Sequence, residues 1–465
     1  MRVFDYFNWR NFQFTPSDIY IGMFVILLIL IYGFIKALRK RESDPLYKYY
    51  FQGLVLKITG AVTFAFVYAI YYRDGGDTIA YWWGAESLKN LFYTNFPAYL
   101  DELFTKPSPE DYFNHYNSGT GWPPDWLYKS NRHFFVCKVT SVICIFIPGS
   151  FLGVSAFMSV IAYNGIWKLY QTVCEHAPDL QKSLRIGTLF LPSVLFWCSG
   201  IMKDTIVLTG VCWIVYETNR YLRPGAKKNP ARLFLRILIW GWLAYSCKPY
   251  IVIAFIPAWL LWMNYDAVVK IRSTVLKYYL LPIFILIFSV GMVRLYTISS
   301  AGSELAIDNV VDQAVNVRND FSTNETYGEN RYEATQVNKS AASILLTIPE
   351  ATVSGLFRPF IWEARSPFIL FSSIENLFIL VMFLYGIIKL RKKYFVYIKN
   401  NKLLLFFLIY SVILAFIVGF TTIIFGALIR FKTAFVPYFV CLLIIIAGRI
   451  KAIKAGKSYS SDKFH

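Results

Sequence analysis

The sequence predicts an all-α integral membrane protein with about 11–12 transmembrane helices and two extracytoplasmic loop regions, on three observations. The chain is 56% hydrophobic and 19% aromatic, and only 16% of its 465 residues are charged. Its apolar residues gather in runs of about twenty, long enough to cross a hydrocarbon layer as helix. Its Lys and Arg residues gather in the short connections between those runs, the usual mark of cytoplasmic loops.

The formal net charge of +19 therefore reads as membrane topology, and no nucleic-acid partner is expected. Seven cysteines lie mostly inside apolar runs without a CxxC, and four histidines show no zinc spacing. Neither a disulfide framework nor a zinc site is expected. No 20–50-residue repeat is visible, and no small-residue cleavage motif follows the first apolar run.

The elements follow in order. Residues 1–72 read as an N-terminal interfacial segment, where Trp and Tyr are at home, and the first two spans, 20–38 and 51–72. Residues 73–131 form the first extracytoplasmic loop, with the amphipathic "AYLDELF" and the turn "GWPPDW". Residues 132–296 form a central helical bundle with candidate spans at 133–148, 150–172, 184–200, 203–221, 233–247, 250–266 and 278–296. Residues 297–366 combine a polar extracytoplasmic loop with a re-entrant or interfacial segment. Residues 367–449 hold the C-terminal spans 368–390, 402–425 and 432–449, and residues 450–465 are a basic cytoplasmic tail.

Basic clusters at 36–48, 220–236, 270–277, 389–393 and 449–457 set the sidedness. Five candidate spans separate the first two clusters, and an odd number cannot return the chain to the same side. The segment 133–172 resolves the parity, because Pro148-Gly149-Ser150 breaks it and Lys138 interrupts its first piece. A half-helix there places 73–131 and Lys203-Asp204 outside.

Several charges then stand out. Lys203, Lys248, Arg358, Arg365, Arg430 and Lys432 fall at outer span ends, where Lys and Arg should be scarce. Snorkelling or local pairs, such as Arg358 or Arg365 with Glu363 and Lys203 with Asp204, account for any one of them. A phosphate-bearing ligand at the outer interface accounts for them together, since Arg binds phosphate oxygens through a fork and Lys adds point charge. A lipid diphosphate would lay its chain between the helices at this depth.

The stretch "YYRDGGDTIAYWWG" sets Asp74 and Asp77 at the membrane edge. These carboxylates fit a solvated turn, oxygen ligands for a divalent cation, or a catalytic base. Sugar transfer needs a carboxylate that takes the acceptor's proton and cations that stabilise the leaving phosphate. Tyr81, Trp82 and Trp83 could cover a sugar face, as could Trp122, although an interfacial belt explains such aromatics too. Asp204 follows "LFLPSVLFWCSGIMK" and is equally suited to capping the next helix. His115 and His133 are isolated and read as structural. No GxSxG, HExxH, P-loop or dinucleotide fingerprint occurs.

The order of these features resembles the GT-C class of membrane glycosyltransferases, which take a sugar from a polyprenyl-phosphate carrier. "DGGDTIAYW" is similar to that class's first acidic site, and "PSVLFWCSGIMKD" to its second. "RPFIWEARSPFILFSSIEN" and "IRFKTAFVP" resemble arginine-containing late segments of bacterial members and related polysaccharide-assembly proteins. The resemblance implies Asp74, Asp77 and Asp204 as catalytic acids, with Asp74 slightly favoured as the base. Lys203, Lys248, Arg358, Arg365, Arg430 and Lys432 are then the phosphate-binding set. It implies a polyprenyl-linked sugar donor and a glycan, lipid or protein acceptor. It fixes no cofactor; a divalent cation is the candidate, and if one is used Asp74 or Asp77 holds it. The setting implied is a multi-pass protein of the bacterial inner membrane with its active site facing the periplasm or exterior. An O-antigen-like polysaccharide polymerase and a lipid-linked glycan flippase or exporter are the alternatives. The chain departs from the class in an extra N-terminal span before the acidic loop.

Overall fold

A computed structural model describes residues 12–72, 76–225, 228–270, 307–323, 330–335, 337 and 341–455. Asp74, the expected span at 278–296, much of the polar 297–345 loop and most of the basic tail lie outside the described residues. Among the described residues the protein is helical and contains no strand; a single antiparallel bridge joins Arg331 to Ile424.

The helices in chain order are α1 (Pro16–Arg41), α2 (Tyr50–Phe66), α3 (Gly76–Thr94), α4 (Phe96–Phe104), α5 (Pro109–His115), α6 (Asp125–Tyr128), α7 (Asn131–Phe146) and α8 (Phe151–His176). Then come α9 (Gln181–Thr188), α10 (Pro192–Trp197), α11 (Lys203–Leu222), α12 (Pro230–Cys247), α13 (Pro249–Met263) and α14 (Tyr265–Lys270). The last are α15 (Ile307–Thr323), α16 (Ala341–Phe357), α17 (Pro367–Leu390), α18 (Lys393–Lys399), α19 (Lys402–Thr421), α20 (Phe425–Lys432) and α21 (Val436–Lys454).

Among the described residues five helices are long and apolar enough to cross a bilayer: α1, α2 with its flanking turns (Pro45–Tyr71), α17, α19 and α21. Six do if α7 and α8 count as one broken span. This is an all-α, multi-pass architecture suited to a lipid bilayer, with fewer such helices among the described residues than the expected 11–12. The expected span 184–200 is divided into α9 and α10, because Pro192 starts a new helix after an extended Leu191. The break at Pro148-Gly149-Ser150 is sharp: α7 and α8 bend by 113°. Helix α7 runs alongside α3 in the same direction, with Tyr81 meeting His133 and Tyr93 meeting Ile145.

Contacts between helices define two ends. Asp18 bonds Ser150, and His176 bonds Asn219, so α1, α8 and α11 run the same way. Helix α12 returns antiparallel, with Arg236 on Glu217 and Lys248 on Asp204. Gly448 packs on Leu180, which puts the C-terminal end of α21 beside that of α8. Arg39, Lys40, Arg41, Arg220, Arg223 and Lys451 thus share one end. Asp77, Lys203, Asp204, Lys248 and Arg430 share the opposite end.

Small residues let two helices meet backbone to backbone. A Cβ on Gly355 of α16 would lie 1.9 Å from the Ala415 carbonyl oxygen, and one on Gly419 of α19 would lie 1.9 Å from that of Ala351. Close approach through small residues four apart is the main route to helix association where lipid replaces water. Gly355→Ala and Gly419→Ala should each lower stability by about 1–3 kcal/mol, from forced overpacking. Unfolding in detergent checks this, with Gly426→Ala, which meets nothing within 4 Å, as the unaffected control.

Candidate functional site

The site begins where α2 ends. Gly76 starts α3 with φ +52°, and a Cβ there would strike the Tyr68 ring at 2.7 Å, so glycine is what lets the chain turn so tightly against α2. The next residue, Asp77, lies in the first turn of α3, where the helix dipole favours a carboxylate. Across from it, α10 ends at Trp197 and the chain turns through Gly200, φ +84°, packed on Phe64. Buried Lys57 stabilises that turn by donating to the carbonyls of Val194 at 2.9 Å and Cys198 at 2.8 Å. Thr205 donates to the Gly200 carbonyl at 2.9 Å. The result presents Lys203 and Asp204 at the start of α11.

Arg430 of α20 closes the arrangement. Its Nε donates to Asp204 Oδ2 at 2.8 Å and its Nη1 to Asp77 Oδ2 at 3.0 Å. Lys248, between α12 and α13, donates to the other Asp204 oxygen at 2.6 Å and sits 4.1 Å from the Phe431 ring centroid. Asp204 is thereby saturated: its side chain is 2% exposed and both oxygens are engaged. Asp77 differs. Its side chain is 35% exposed, and only one of its oxygens is in an ion pair.

Lys203 is the outlier. It is 7% exposed, yet it has no ion pair or hydrogen bond with any described residue. Its ammonium lies within electrostatic reach of Asp77, Lys248 and Arg430. Three cations thus face two carboxylates, Asp77 and Asp204, leaving one positive charge uncompensated among the described residues. The Lys203 side chain is largely buried but its nitrogen is not fully enclosed, so an anionic ligand could reach and pair with it. Nearby, the Tyr250 hydroxyl is buried without a hydrogen-bond partner, also within reach of Asp204 and Arg430.

The remaining expected residues divide. Lys432 is committed to structure: its ammonium donates to the carbonyls of Leu356 and Arg358, each at 2.9 Å, and to Asn376 Oδ1 at 2.8 Å. Arg358 lies 3.5 Å from Glu363 and 4.2 Å from the Tyr332 ring centroid, so the expected local pair is present. Arg365 is exposed between α16 and α17, and no described contact ties it to Asp77 or Asp204. Tyr81 and Trp82 are not open to a sugar. Tyr81 is fully buried, stacks on His133 and shares a 2.8 Å hydrogen bond with its Nδ1. Trp82 packs edge-on against Phe12 and Phe151, because the face of α3 that carries it turns into the core. Trp122 packs on Tyr112 and Phe113, in the layer formed by α4, α5 and α6.

The structure also adds groups that the sequence reading passed over. His133, read as isolated, lies within electrostatic reach of Asp77, Lys203 and Arg430. Glu375 of α17 accepts from the Ser193 amide at 2.8 Å and its hydroxyl at 2.6 Å, bracing α10. Lys57 and Glu375 carried a signal, since each is an ionisable group inside an apolar run. His133 carried none. No protein-family model, curated protein or solved structure matches the chain.

Proposed function

We propose that the protein is a membrane glycosyltransferase, moving a sugar or glycan from a polyprenyl-phosphate or -diphosphate carrier to an acceptor at the face opposite its basic loops. By the charge rule for membrane loops that face is extracytoplasmic. The observation that carries the reading is the convergence of a part-exposed carboxylate, Asp77, with Lys203, a largely buried side chain whose ammonium has no partner among the described residues, around Arg430.

The roles follow from access. Asp77 is the base: it takes the proton of an acceptor hydroxyl or amine as that atom bonds to the anomeric carbon. The bond from that carbon to the phosphate oxygen breaks, and the phosphate leaves with the bonding pair. Lys203 and Arg430 stabilise the charge that develops there. Asp204, with no free oxygen, acts as the anchor that aims Arg430 and Lys248. Lys432 drops out of the phosphate set, since its ammonium already donates to three protein acceptors.

Lys203→Met tests the anion site without knowledge of the sugar. A short-chain isoprenyl phosphate should raise the melting temperature of the wild-type protein in detergent. In Lys203→Met the apparent affinity should fall about 10–100-fold, the worth of one charge-assisted hydrogen bond in a desolvated site. Equal shifts in the two proteins would remove Lys203 from the reading.

A further inference from the structure

Away from the Asp77 site, α4 and α5 bring Asp101, Asp111 and His115 together. One ligand atom from each lies within 4.8 Å of the others. His115 makes this more than a patch of surface acids. Its Nδ1 is 3.0 Å from Oε1 of Glu102, which is 2% exposed and also accepts the Tyr128 hydroxyl at 2.8 Å. An ionised Glu102 accepts from Nδ1–H, and in the neutral ring that leaves Nε2 as the nitrogen able to bind a metal.

That Nε2 has no hydrogen bond. The nearest carboxylate oxygen, Asp101 Oδ2, is 3.9 Å away, beyond hydrogen-bond reach, and the His115 side chain is only 16% exposed. Two carboxylates this close to the imidazole favour a positive charge among them, either a second proton on the ring or a bound cation. A carboxylate behind the far ring nitrogen is the arrangement that fixes the tautomer and orientation of metal-binding histidines. Ligand atoms around an ion at about 2.1 Å sit roughly 3.0–3.5 Å apart, so atoms now within 4.8 Å of one another would close by at most about 1.5–2 Å.

We propose that Asp101, Asp111 and His115 form a site for a divalent transition-type metal ion, with Glu102 as the positioning residue behind His115. Mixed nitrogen and oxygen donors suit Zn2+ or Mn2+, whereas Ca2+ and Mg2+ prefer oxygen alone. Bound there, the ion would clasp α4 to α5 and stiffen the layer beside the Asp77 site. The inference stands independently of the transfer reading.

The test is metal titration of the full-length protein in detergent after chelator stripping, using Zn2+, Mn2+ and Ca2+ separately. The expected result is one Zn2+ or Mn2+ per chain, with Ca2+ failing to compete. His115→Gln, whose amide can still meet Glu102, and Asp111→Asn should each weaken binding at least about 10-fold. Glu110→Gln, which removes an exposed acid next door, should bind as wild type. No stoichiometric binding by the wild type would overturn the proposal. So would undiminished binding in both ligand variants, or Ca2+ binding that survives His115→Gln, which marks a patch of surface acids only.

Discussion

Asp204→Ala is expected to destabilise the protein by about 3–5 kcal/mol, the usual cost of removing one partner from a buried ion pair. The reason is the geometry around a carboxylate that is 2% exposed and holds Lys248 on one oxygen and Arg430 on the other. Its loss leaves two cations buried with one remaining acid, Asp77, and that acid touches only Arg430. Chemical unfolding in detergent or a proteolysis midpoint measures the effect. Adding Lys248→Met should recover part of the loss, because the double variant no longer buries an unpaired ammonium there. If Asp204→Ala stays within about 0.5 kcal/mol of wild type, as a neutral surface change would, Asp204 is not the anchor described.

Asp77→Asn is the complementary case, with a large effect on chemistry and a small one on stability. Its side chain is 35% exposed and makes one ion pair, so the change should cost under about 1 kcal/mol of stability. Turnover should fall about 10²–10⁴-fold, the usual contribution of a positioned general base. Donor affinity should change little, since Lys203 and Arg430 are untouched. The assay is sugar transfer from lipid-linked donor in membranes with matched protein abundance. Full activity in Asp77→Asn would exclude Asp77 as the base and leave the role to Asp74; full activity in Asp74→Asn as well would exclude the transfer mechanism.

Much of this arrangement was legible before any coordinates. Asp74 and Asp77 stood out together as carboxylates at a span edge beside glycines, with Asp74 slightly favoured, and Asp204 as an acid between two apolar runs. The outer cations stood out because short outer loops are poor in Lys and Arg. What could not be read was which cation belongs to which acid. Arg430 and Lys432 looked equivalent two residues apart in "IRFK". On one helix, residues i and i+2 leave on different faces. One therefore meets Asp204 and Asp77, while the other disappears among the carbonyls of Leu356 and Arg358. The aromatic run after Asp77 misled for a related reason: α3 turns the Tyr81 and Trp82 side into the core.

The sequence by itself determined the all-helical, membrane-embedded class, the break before α8 and the segregation of basic loops to one end, because hydrophobic run length and local breakers are properties of neighbouring residues. Only the tertiary structure decided that Arg430 would reach Asp204 over 226 positions and Asp77 over 353, that Lys203 would be left unpaired, and that His115 would lie against Glu102. Ion pairing of this kind depends on where separate helices pack. No local pattern encodes that distance.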